Sequence, residues 1–293
     1  MTPSVLLLLA LAQQPEPLPK LSPPDRPDGP PVVSAKGWAV ADGQTGAILA
    51  SSAPSEPLAI ASTSKIMTAW LVLKLATADP KVLEETVTFS VKASQTGGTT
   101  SKLKAGEKLP ARELLYGLLL PSGNDAAVAL AEHFGYRFLD KEKADQEPAA
   151  AFIAEMNREA AALKMTGTRY LDPHGLGLNR STARDLAVLA ATALKNDTFR
   201  TMVATRRHSG TVTAADRTTR TVVWDNTNLL LRIEGYDGVK TGTTTAAGYC
   251  LVGSARRDGE HRIVVVLGAT SNDSRYVDAR NLFRWGWQLR AAP

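Results

Sequence analysis

Hydrophobic and polar positions change their period along the chain. Gly37–Gly43 and Thr45–Ala50 are short runs around an Asp-Gly turn signal, and predict two strands. From Ala61 to Lys74 the sequence reads ASTSKIMTAWLVLK, with apolar residues at 66, 67, 70, 71 and 73. These positions fit a helical period and cover most of the circumference, as in a buried helix. Residues 85–109 are rich in Thr, Gly and Lys and read as irregular. Helical periodicity then runs through Arg112–Leu120, opened by Pro110, and through Asp125–Phe134, Ala149–Leu163 and Thr182–Leu194. After about residue 205 the pattern shifts towards strands: Thr221–Trp224, Gly238–Thr244, Tyr249–Ala255 and Arg262–Leu267, the last two joined by Arg257-Asp258-Gly259-Glu260. Ser274–Leu289 predicts a closing helix. A strand pair, then helices, then strands and a last helix predict an α/β (α+β) fold in which a helical lobe is inserted into a sheet lobe. Clefts form between such lobes, so a site would draw on residues far apart in sequence.

Composition narrows the function classes. The 293 residues are 44% hydrophobic and 22% charged, ordinary for a soluble globular protein with a sizeable core. A net charge of +5 suits anionic surroundings such as cell-wall polymers, but no basic run or aromatic-basic interleaving points to nucleic acid. The single cysteine, Cys250, excludes an internal disulfide and a cysteine-based metal site, and its run Tyr249-Cys250-Leu251-Val252 predicts a core position. The four histidines show no His-x-x-x-His spacing, so neither metal nor any other cofactor is expected. Val5–Ala12 is apolar and ends Ala10-Leu11-Ala12, a small-x-small cleavage pattern too short to span a bilayer. Residues 13–31 carry eight prolines. The expected organisation is a signal peptide at 1–12, a stiff proline-rich linker at 13–32 and one catalytic domain at 33–293. No apolar run reaches membrane-spanning length, and Trp285–Arg290 is too brief for an amphipathic anchor.

Candidate chemistry lies in short polar motifs, each with an ordinary explanation when taken alone. Ser62 and Lys65, one turn apart at the start of the buried helix, would share a face. A lysine deprived of hydration deprotonates more easily, which sets a base beside a nucleophile. Yet serine is a common N-cap, and the chain holds a second such match, Ser101-Lys102-Leu103-Lys104. Pro121-Ser122-Gly123-Asn124-Asp125 breaks an apolar run between two helices; the same residues also make ordinary turns and caps. Asp237-Gly238-Val239-Lys240-Thr241-Gly242-Thr243-Thr244 puts a lysine, a threonine and a glycine on a late strand. It reads either as a solvated edge or as a strand that another backbone or ligand approaches closely. A peptide laid along such an edge would pair with its main chain, and Lys240 and Thr241 could hold a terminal carboxylate.

Taken together and in this order, Ser62-x-x-Lys65, Ser122-x-Asn124 and Lys240-Thr241-Gly242 resemble the three-motif set of penicillin-recognising serine enzymes. The surrounding residues Ala61–Ala69, Gly117–Ala127 and Asp237–Thr244, with Asp172-Pro173-His174-Gly175-Leu176 and Ala183-Arg184-Asp185-Leu186, resemble the D-alanyl-D-alanine carboxypeptidases of the low-molecular-mass penicillin-binding proteins, serine peptidase family S11. The likeness covers about residues 33–288 and implies a penicillin-binding protein/β-lactamase-like fold with an antiparallel sheet lobe. It also separates the two serine–lysine matches, because no buried helix follows Ser101.

The resemblance implies roles. Ser62 attacks the carbonyl between two terminal D-alanines of a peptidoglycan stem peptide, and the acyl-enzyme is hydrolysed by water. Lys65 is the base, Ser122 relays a proton to the leaving amine, and Asn124 binds the substrate's amide. Lys240 and Thr241 read the carboxylate, with Arg275 as a further candidate for it. The oxyanion hole would be the backbone N–H groups of Ser62 and Thr243, and Gly242 and Thr243 count among the substrate-binding residues. β-Lactams would act as covalent inhibitors. Many relatives continue into a β-rich second domain and an amphipathic membrane helix, whereas 51 residues follow Gly242 here, enough for two strands and a helix. An exported enzyme, periplasmic or extracellular and without a tether, is therefore expected. A class A β-lactamase would carry Ser-Asp-Asn and a Glu-x-x-x-Asn glutamate, which this chain lacks. A catalytically silent wall-binding module is set against the intact Ser62, Lys65, Ser122 and Lys240. Endopeptidase action on cross-links stays open, because cleft width is not written in the sequence.

Overall fold

The run Ile263-Val264-Val265-Val266-Leu267 is apolar at every position, which suits a strand buried on both faces. In the computed structural model, which describes residues 29–52, 56–140 and 146–290, it is the centre of the fold. The expected signal peptide and most of the proline-rich linker lie outside the described residues.

The chain opens with β1 (Gly37–Asp42), β2 (Ile48–Ser52) and the short β3 (Leu58–Ala59), then a 3-10 turn (Ala61–Ser64) leading into α1 (Lys65–Ala78). After these come β4 (Thr86–Thr88), α2 (Val91–Ser94), β5 (Lys108–Pro110), α3 (Ala111–Leu119), α4 (Asn124–Gly135) and α5 (Pro148–Ala162). Next are β6 (Arg180–Ser181), α6 (Ala183–Ala193), α7 (Asp197–Ala204), β7 (Arg207–Thr213) and β8 (Thr219–Asp225). The last elements are β9 (Tyr236–Thr244), β10 (Gly248–Arg257), β11 (Glu260–Ala269) and α8 (Asn272–Gly286).

The main sheet is antiparallel with strand order β2-β1-β11-β10-β9, so the first strands and the last ones share one layer and the helices between them form the inserted lobe. Side chains of β11 alternate between two cores. Ile263, Val265 and Leu267 join the large core shared with the helical lobe, while Val264 and Val266 pack with Trp38, Leu282 and Phe283 under α8. Cys250 is fully buried in the first of these, as its apolar run predicts. Helix α1 runs through the middle of the helical lobe and packs against α3, α4, α5, α6 and α7. Its less buried side carries Trp70 and Lys74, both hydrogen-bonded to Glu159 of α5.

One expected stretch differs from the structure. The stretch 85–109 is not irregular throughout: β4, α2 and β5 lie in it, and β4 and β5 form a small sheet with β7 and β8. At the start of α4, Gly123 stands at the N-cap, and Asp125 accepts from Thr100 Oγ1 and from the backbone and hydroxyl of Ser101.

Candidate active site

A lysine normally keeps its head in water. Lys65 is fully buried at the first turn of α1, and its ammonium group has three partners: Ser62 Oγ at 2.9 Å, Asn124 Oδ1 at 2.6 Å and the His174 carbonyl at 2.8 Å. Burial, then the nearby charge of Lys240, drives its pKa well below the usual lysine value, against a smaller opposing pull from Asp172 and Asp125. Ser62 sits in the 3-10 turn, so the serine-to-lysine spacing puts hydroxyl and amine side by side as predicted. Ala61, immediately before it, takes a left-handed backbone (φ +48°), unusual for a residue with a Cβ.

The loop between α3 and α4 supplies the second motif. Ser122 is also left-handed (φ +68°), and its buried hydroxyl has no hydrogen-bond partner among the described residues. Strain and an unpartnered buried hydroxyl in one residue mark a place held for something other than stability. Asn124 opens α4 with both ends of its amide engaged: Oδ1 accepts from Lys65 and Nδ2 donates to the Gly97 carbonyl at 2.8 Å. The amide thus orients the lysine, where the resemblance implies contact with substrate. Ser101 is accounted for structurally: its N–H and hydroxyl go to Asp125, and its carbonyl accepts from Trp224 Nε1 at 2.8 Å.

The third motif lies on β9, the outer strand of the main sheet. Lys240 is buried, donates to the Thr241 carbonyl at 3.0 Å and has its pKa lowered to about 7, first by burial and then by the charge of Arg275. Thr241 Oγ1 lies 2.7 Å from Thr227 Oγ1. Gly242 packs against the Ser62 turn: a Cβ on it would lie 2.9 Å from the Ser62 nitrogen and 3.0 Å from the Ile60 oxygen. The glycine signal in this strand therefore marks the approach of another backbone. Arg275, from α8, is buried and donates to Thr243 Oγ1 at 3.1 Å and Asn272 Oδ1 at 2.5 Å, with its guanidinium over the rings of Tyr276 and Tyr249. It belongs to the β9 end of the site rather than to a solvated helix face.

A fourth component was marked in the sequence only by the family likeness of Asp172–Leu176. Asp172-Pro173-His174-Gly175 folds over the start of α1, and Gly175 (φ +94°) is so close to the Ser62 turn that a Cβ would lie 1.9 Å from the Ala61 oxygen. Burial opposes the charge on Asp172. The hydrogen bond and charge of His174, with the N–H groups of Gly175 and His174, nevertheless hold its carboxyl well below the usual range. Asn179 Nδ2 donates to Ser64 Oγ at 2.9 Å and fastens the far end of the turn.

The model of the D-alanyl-D-alanine carboxypeptidase family (Peptidase S11) matches residues 25–271. The chain belongs to this family. A D-alanyl-D-alanine carboxypeptidase of Streptomyces sp. (strain K15) is 37% identical over 270 residues, covering 89% of each chain. The crystal structure of the Streptomyces K15 DD-transpeptidase superposes with a TM-score of 0.81 at 36% identity, over 89% of this chain and all of that one. A D-alanyl-D-alanine endopeptidase of Escherichia coli is 30% identical over 289 residues, covering 96% of this chain and 86% of that one. Several other matching carboxypeptidases are longer, and this family member spans 59–64% of their length. The penicillin-binding protein/β-lactamase-like fold expected from the motifs is the one found.

Proposed function

We propose that this family member is a serine-type D-Ala-D-Ala carboxypeptidase acting on peptidoglycan stem peptides. The observation that carries it is the 2.9 Å contact between Ser62 Oγ and a fully buried Lys65 whose pKa is lowered. Neutral Lys65 takes the hydroxyl proton as Ser62 attacks the carbonyl between the terminal D-alanines. The oxyanion hole that the family resemblance implies is the N–H groups of Ser62 and Thr243, and the close approach of Gly242 to the Ser62 nitrogen supports it. Collapse of the intermediate breaks the C–N bond, and the leaving amine collects a proton through Ser122, whose hydroxyl is free to make that contact. Water then hydrolyses the acyl-serine. Lys240, with Thr241 and Arg275, gives the cationic end that reads a terminal carboxylate. Asn124 serves the lysine first and the substrate only through any reorientation of its amide. β-Lactams, which mimic the same terminus, acylate Ser62.

The catalytic domain is read as residues 33–293, with export directed by residues 1–12. Among the described residues no helix is long and apolar enough to cross a membrane. Release of D-alanine from a D-Ala-D-Ala pentapeptide by the wild type, and its absence with Ser62→Ala, tests the proposal. The endopeptidase among its relatives favours one second reading, in which the same chemistry cleaves cross-linked dimers. Giving the enzyme a cross-linked muropeptide beside the pentapeptide separates the two.

A further inference from the structure

A neutral lysine has two N–H donors and one lone pair, and a base works only if the lone pair faces the proton it is to take. Of the three partners of Lys65 Nζ, the Asn124 Oδ1 and the His174 carbonyl can only accept; the Ser62 hydroxyl can also donate. Two acceptors therefore absorb both amine hydrogens, and the lone pair is left for the Ser62 proton. Asn124 is a side chain fixed by the Gly97 carbonyl. The other acceptor is a main-chain carbonyl in a turn, and something must hold it in place.

We infer that Asp172 is a positioning residue that fixes the His174 carbonyl against Lys65, so that the neutral amine presents its lone pair to Ser62. Asp172 Oδ1 accepts from the N–H of His174 at 2.8 Å and from the N–H of Gly175, and lies 3.0 Å from His174 Nδ1. Asp172 Oδ2 accepts from the N–H of Gly177 at 2.6 Å. One carboxylate thus gathers the turn's amides on one side, which forces the His174 carbonyl to the other, towards Lys65. Thr68, one turn beyond Lys65 on α1, donates its hydroxyl to the Pro173 carbonyl at 2.6 Å and ties the turn to the same helix. Gly175 adds the contact with Ala61 that leaves no room for the turn to slide.

During acylation the Ser62 O–H bond breaks, its proton bonds to the Lys65 lone pair, and the serine oxygen bonds to the acyl carbon. The resulting ammonium has three N–H groups: two remain on Asn124 and His174, and the third carries the proton that the leaving nitrogen receives. Asp172 exchanges no proton and touches no substrate; it acts through the carbonyl.

The inference rests on the acyl-serine reading. Its test is the acylation of the full chain by a chromogenic penicillin, resolved into the binding constant and the acylation rate constant. Asp172→Ala is expected to lower the rate constant at least tenfold and to move binding less than twofold. Asp172→Asn, whose amide oxygen still accepts from the backbone, falls between Ala and wild type. An Asp172→Ala protein that is folded and acylates within twofold of wild type overturns the inference, as does a loss confined to binding. Where Asp172→Ala does not fold, Thr68→Val and Thr68→Ser decide: the first lowers the rate constant several-fold and the second, which keeps the hydroxyl, restores it. An unchanged rate constant in Thr68→Val overturns the inference in that case. Labelling that survives Ser62→Ala contradicts the acyl-serine reading itself, whatever Asp172 does.

Discussion

Gly242 and Ser62 lie so close that no side chain fits between them: a Cβ on Gly242 would be 2.9 Å from the Ser62 nitrogen. The atoms it meets are backbone, so they cannot swing aside. Gly242→Ala must push β9 away from the nucleophile's turn. The expected outcome is a fall in acylation of roughly 10- to 100-fold, the scale of a displacement of about an ångström in a catalytic group. Fluorescent-penicillin labelling rates, with thermal melting as control, check it.

The pH dependence of acylation follows from the two buried lysines. The base must be neutral, so acylation rises with pH through the ionisation of Lys65, below the free-lysine value of about 10.4. The charge of Lys240 helps to lower that ionisation. Lys240→Met removes the charge and moves the rising limb to higher pH. Lys240 itself loses its charge at about 7. For a peptide carrying a carboxylate, kcat/KM is therefore expected to fall again above about pH 7, whereas a substrate without the carboxylate escapes this limb. Steady-state pH profiles of the two substrates separate the effects.

Asn124 can be tested through its charge as well as its shape. Asn124→Ala removes one acceptor of Lys65 and the tether to Gly97. A lost hydrogen bond to a buried polar group costs about 1–3 kcal/mol, so acylation is expected to fall roughly tenfold to 100-fold. Asn124→Asp keeps the acceptor but adds a negative charge, which raises the Lys65 pKa and moves the rising limb to higher pH. Pre-steady-state acylation across pH distinguishes the two variants.

Trp224 carries stability rather than chemistry. Its ring is 1% exposed, and Nε1 donates to the Ser101 carbonyl. Trp224→Ala is expected to lose about 3–5 kcal/mol, measurable by urea unfolding. Ser101→Ala, by contrast, leaves penicillin labelling largely intact.

How legible each part was depends on how local its cause is. The all-round apolar pattern of α1 and the unbroken apolar run of β11 are set by burial on every side, and both were readable. So was the meeting of Ser62 and Lys65, since one helical turn fixes it. The small sheet was not: β4 and β5 have three residues each, and the pairing of Lys108 with Thr213 is a long-range contact that no local period records. The short α7 begins where Asn196 caps the Phe199 N–H, a signal that also reads as a turn. The His174 carbonyl could not be read at all, because every residue has one; only the family likeness of Asp172–Leu176 pointed to the place. Asn124 stands beside Lys65, and its orientation depends on the Gly97 carbonyl from a segment with no regular pattern.

The most direct measurement is intact-protein and peptide mass spectrometry after exposure to penicillin, with the penicilloyl group followed in time. The opened β-lactam stays attached to the acyl group and obstructs the approach of water, and the chain has no Glu-x-x-x-Asn glutamate to activate it. An absent general base slows deacylation by roughly two to four decades. One long-lived adduct is predicted, on the peptide that contains Ser62, and none on Ser62→Ala. An adduct on Ser101, labelling that persists without Ser62, or rapid multiple turnover of penicillin would contradict the account.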